Sequence, residues 1–90
     1  MATDPNIKRQ LAGAVDMKKS LERTNDTLRQ QIRLFERQEG EARRMPNSDR
    51  ERARIKDQIR EANRSIDRNK TNIKSLERQI GDLKRMAAGR

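Results

Sequence analysis

Along the first half of the chain Ile7, Leu11, Ala14, Lys18, Leu21, Asn25, Leu28, Ile32 and Phe35 follow one another at alternating intervals of four and three residues. The second half repeats the interval in Ile55, Ile59, Ala62, Ile66, Asn69, Ile73, Leu76, Ile80, Leu83 and Ala87. Sustained four-three spacing gathers these positions, a and d of a heptad, into one narrow stripe on a helix. Such a stripe leaves water only when a second helix with the same spacing lies against it. Composition closes the other routes. With 30% hydrophobic residues, 41% charged residues and one aromatic, Phe35, the chain lacks the apolar area for a multilayer core. The remaining choice is between disorder and a thin helical structure, and the periodicity selects the helices.

The two stripes are out of phase by one residue, so a break lies between them. Pro46 cannot continue a helix, and Ser48 with Glu51 three residues on has the form of a capping box opening a new one. At the start, Thr3 or Asp4 serves as N-cap with Pro5 in the first turn. Gly40 loosens the end of the first helix, whose stop falls between Gln38 and Met45. The Gly89-Arg90 tail reads as loose. The sequence thus predicts helix 1 over about 5–42, a loop over 43–48 and helix 2 over about 49–86.

Folding the chain about residue 47 brings Leu11 opposite Leu83, Ala14 opposite Ile80, Lys18 opposite Leu76, Leu21 opposite Ile73 and Leu28 opposite Ile66. Every a position meets a d position, as antiparallel layers require. The expected fold class is all-α, a two-helix antiparallel coiled-coil hairpin forming one domain, with a four-helix bundle as its dimeric form. Pairing between chains, as in a swapped dimer, satisfies the same register. The fold also sets Asn25 opposite Asn69. An amide layer gives up burial but penalises slipped pairings, in which each amide faces an apolar side chain; this reads as a register lock.

The flanks divide the helix surface further. On one side Glu22 faces Lys70 and Glu36 faces Lys56, pairs worth about 0.3–0.5 kcal/mol each, while Lys8 faces Lys84. On the other side Gln10, Met17, Thr24, Gln31 and Gln38 face Met86, Gln79, Asn72, Ser65 and Gln58, and none is charged. In so highly charged a chain, these residues form a second, semi-dry stripe, suited to another copy or to a protein partner.

Catalytic chemistry finds little to use. The absence of His, Cys, Tyr and Trp removes the usual bases, thiolate nucleophiles and zinc ligands. The glycines form no phosphate-cradling loop, and Asp16, Asp57 and Asp67 sit on solvent faces beside basic residues. The expectation is a non-enzyme without cofactor. No apolar run is long enough to span a membrane and no signal-peptide pattern opens the chain. Together with the lack of cysteine, this points to an intracellular protein, cytoplasmic or nuclear.

A net charge of +9 directs attention to acidic partners. Residues 53–90 hold eleven Lys or Arg against five Asp or Glu. Arg54, Arg60, Arg64, Arg68, Lys74, Arg78 and Arg85 occupy outer positions of helix 2, where they could follow a phosphate backbone without reading sequence. Arg43, Arg44, Arg50 and Arg52 add a basic patch at the tip. Interleaved acids and the lack of stacking aromatics weaken this alternative function, binding nucleic acid or another polyanion.

The stretch "IKRQLAGAVDMKKS", through Ile7, Leu11, Val15 and Met17, together with "ANRSIDRNKTNIKSLERQI", resembles the Rho-effector homology repeat, or REM repeat. It departs from that pattern at Ser20-Leu21, where the family has a small-residue step, and in several Arg and Asn at apolar positions. The resemblance implies an antiparallel coiled-coil finger that binds an activated Rho-type small GTPase along one helix face. The sequence reading is therefore a non-catalytic protein-interaction or oligomerisation module.

Overall fold

A computed structural model describes residues 4–89 of the chain. It is all-α: α1 spans Pro5–Ala42 and α2 spans Asp49–Ala88, and the described residues contain no strand. Asp4 caps α1, its carboxylate accepting from the Asn6 amide at 2.9 Å and its carbonyl from the Ile7 amide at 3.0 Å. The other candidate cap, Thr3, and the terminal Arg90 lie outside the described residues. Gly40 does not end α1. The helix runs on for two residues, and a glycine inside a helix costs only about 1 kcal/mol. At the other end α2 continues past the expected residue 86, because Ala87 and Ala88 are strong helix formers.

Burial follows the heptads. In α1 every residue of the four-three series from Ile7 to Phe35 is buried or half-buried, and in α2 so is every one from Ile55 to Ala87. The shielded series also runs further toward the tip than the large apolar residues do, taking in Glu39 and Ala42 in α1 and Arg52 in α2. Asn25 is the most deeply buried side chain of the stripe, at 2% exposure, and Asn69 is half-buried.

The helices pair in two compact units. The first joins Met1–Arg23 to Asn69–Arg90. Its core is Ala14 against Ile80 and Leu83, with Ile7, Leu11, Val15 and Leu76 packed around them. A small residue facing two large ones lets the backbones approach, and early residues meeting late ones makes the pairing antiparallel. Lys18 stands in the stripe here with its stem partly shielded. Its ammonium reaches out to Glu77 of α2 at 3.7 Å, so the charge stays wet while the methylenes cover the core.

The second unit, Thr24–Arg68, is a helical hairpin closed by residues 43–48. The Ala42 carbonyl, left without an intrahelical donor, accepts from the Met45 amide at 3.1 Å and from the Ser48 hydroxyl at 2.5 Å. Asn47 adopts a left-handed conformation, φ 60°, which asparagine tolerates better than most residues. The expected capping box is only partly realised. The Ser48 carbonyl accepts the Arg52 amide as an N-cap carbonyl does, but its hydroxyl reaches back to end α1. Ala42, Ile55, Ala62 and Ile66 are buried behind this turn.

The expected flank pairs of Glu22 with Lys70 and of Glu36 with Lys56 do not form. Apart from Lys18 with Glu77, the ion pairs among the described residues join neighbours three or four apart in the chain, as Arg29 with Asp26 and Arg43 with Glu39. Exposed pairs between helices gain little in water and must order two long side chains, so near neighbours win.

Candidate interaction surface

The uncharged flank is solvent-facing in both units. In the first, Gln10, Met17, Asn72, Gln79 and Met86 are all exposed, Met17 at 62% and Met86 at 55%. In the second, Thr24, Gln31, Gln38 and Gln58 are exposed and Ser65 is half-buried. Their positions follow from the heptad. Each stands one step outside the a/d stripe, so burying the stripe leaves them at its edge.

Among the described residues the exposed large hydrophobics are Met17, Leu34, Met45 and Met86. Met17 and Met86 stand at edge positions and Leu34 one position further out, while Met45 lies in the turn, beside the groove near the tip. Leu34 and Met45 do not belong to the facing edge set read from the sequence. The signal was present one row further out, since α1 keeps uncharged residues there as well, in Gly13, Ser20, Thr27 and Leu34.

In each unit grooves open beside these edge residues. In the first unit a groove of about 500 Å³ is bordered by Met17, Ser20, Asn72, Ser75 and Gln79, with the half-buried Leu21 and Leu76 at its base. In the second unit a groove of about 400 Å³ lies over Leu28, Phe35 and Ala62, between Gln31 on one side and Gln58 and Ser65 on the other. Arg54, Asp57 and Glu61 also line it, so its α2 wall is charged. A third, near the tip, is lined by Gln38, Met45, Arg54 and Gln58 among others. Glu41 and Glu51 also line the third, so only the groove of the first unit has an apolar floor with a wholly uncharged rim, which suits a helix whose contacts are a few apolar side chains framed by uncharged polar groups.

The basic candidates divide differently. Arg60 pairs with Asp57 at 3.6 Å, Arg64 with Glu61 at 3.7 Å, Arg85 with Asp82 and Arg43 with Glu39 at 3.0 Å. Arg68 donates to the Ser65 hydroxyl at 3.1 Å. Among the described residues Arg44, Arg54, Lys74 and Arg78 form no ion pair. At the tip, Arg52 is held differently. It stands in the shielded series, half-buried, with its Nε sealed from solvent and lacking an acceptor.

Among the described residues no group of three or more His, Cys, Asp or Glu side chains could hold a metal ion, and no helix is long and apolar enough to cross a membrane. No protein-family model matches the chain, and no curated protein or solved structure matches it.

Proposed function

We propose that this chain is a non-catalytic protein-interaction and oligomerisation module, and that its docking surface is the uncharged flank of the helix pair. One observation carries the reading: in the first unit the exposed Met17 borders an open groove whose lining carries no charge. Scattered exposed apolar residues need no explanation, but one at the rim of an uncharged groove in so highly charged a chain does. The docking partner is another copy of the chain or a second protein. The REM-like stretches favour an activated Rho-type small GTPase among second proteins, and the cysteine-free composition favours an intracellular setting.

Titration with a Rho-type GTPase, loaded either with GDP or with a non-hydrolysable GTP analogue, tests the partner class. Binding of the GTP form alone, weakened by Gln31→Glu and Met17→Glu, supports it. Equal binding of both forms, or none, removes the GTPase from the reading.

A second reading, polyanion binding, draws on the net charge of +9 and on Arg44, Arg54, Lys74 and Arg78, which carry charge without an acidic neighbour in ion-pair range. Salt separates the two. Affinity for nucleic acid through some four phosphate contacts falls by about ten-fold or more between low and physiological salt, whereas docking on the uncharged flank scarcely changes. Retention of nucleic acid at physiological salt, lost on replacing these four residues by Gln, would favour the polyanion.

A further inference from the structure

We propose that the groove of the first unit receives a second copy of the same chain, with Met17 of each copy entering the groove of the other between Ser20 and Ser75. The proposal rests on the flank reading above and narrows it to one occupant. Two observations point to a second copy, and the exposed area permits one.

The first is that knob and hole stand side by side on one patch. Met17, 62% exposed, borders a groove of about 500 Å³ whose base is Leu21 and Leu76. The small hydroxyl residues Ser20 and Ser75 leave room for a flexible thioether. A two-fold axis pairs a patch with itself, so a surface holding both shapes is complementary to its own copy. The second is charge. Two chains of +9 repel over most of their surface, and the groove's lining carries no charge. A neutral patch meets its own copy without repulsion, and without needing an acidic partner. The area is sufficient: the chain exposes 7369 Å², against the roughly 800 Å² that each partner contributes to a standard interface.

Sedimentation equilibrium of the full chain at moderate salt, over about a hundred-fold range of concentration, tests this. The expected mass rises from 10.6 kDa toward about 21 kDa. Met17→Glu and Ser75→Glu each weaken the dimer by about ten-fold or more while helical circular dichroism is kept, and Arg64→Glu on the outer face has no effect. Because the chain contains no cysteine, a mixture of Met17→Cys and Ser75→Cys variants supplies a second readout, in which oxidation yields the mixed disulfide in excess over both same-site products.

A wild type that stays monomeric throughout overturns the proposal and leaves the flank reading to its partner titration. A dimer indifferent to Met17→Glu and Ser75→Glu but broken by Leu34→Glu overturns the groove and keeps the flank. A dimer broken only by Arg64→Glu and by salt overturns both.

Discussion

At the scale of single residues, the polar members of the shielded stripe behave in three different ways. Lys18 keeps its charge in water by reaching to Glu77, and so lends its methylenes to the core at little cost. Asn25 is buried to 2%. Arg52 has neither solution, since its Nε is sealed without an acceptor beside the turn. A buried donor left unmade costs about 1–3 kcal/mol, so Arg52→Leu is expected to raise stability by about 1 kcal/mol, read as a higher urea midpoint at unchanged slope. A fall of similar size would show that the guanidinium anchors the tip. The two amides concern specificity more than stability. Replacing Asn25 and Asn69 together by Leu is expected to raise the melting temperature and to broaden the oligomer distribution seen by light scattering. A double variant that keeps one oligomeric state and gains no stability ends the register-lock reading.

At the scale of elements, heptad spacing and turn chemistry decide different things. The four-three series accounts for both helices and for which side of each is shielded. The limits of α1 also follow from local chemistry, Asp4 with Pro5 at one end and Pro46 beyond the other. What local pattern misassigns is Ser48. The Ser48 and Glu51 spacing has the form of a capping box, yet the hydroxyl goes to the Ala42 carbonyl because the turn folds that orphan acceptor within 2.5 Å. The left-handed Asn47 makes that approach possible. Asn47→Gly is therefore expected to leave stability nearly unchanged, whereas Asn47→Val costs about 1–2 kcal/mol, because a β-branched side chain clashes at positive φ. Thermal unfolding by circular dichroism compares the two, and equal midpoints would show that the turn can close another way.

At the scale of the whole molecule, the stripe is the only core that the composition can supply, and a core of single-stripe width gives a marginal fold. Ala14, Ile80 and Leu83 in one unit and Ala42, Ile55, Ala62 and Ile66 in the other are the buried apolar residues. Association over the uncharged flank would add to this core by mass action. The thermal midpoint is accordingly expected to rise by several degrees as protein concentration increases about a hundred-fold. A midpoint independent of concentration would mean that each chain is stable alone and that its docking surface waits for a different protein.

The amino-acid order by itself determined the all-α class, the two helices, the break between them and the stripe that each buries, because heptad periodicity admits no other way of shielding so few apolar residues. It also named the edge residues of the uncharged flank, since an edge follows once the stripe is known. Tertiary structure alone decided the rest. It extended the shielded series through Glu39, Ala42 and Arg52, two of them charged and the third too small to mark a stripe by itself. It withheld the ion pairs of Glu22 and Glu36 and gave Lys18 to Glu77, because side-chain reach and competition with water settle exposed pairs. And it opened the grooves, since a groove is the space left between two helices at a particular separation, and no one-dimensional pattern records that distance.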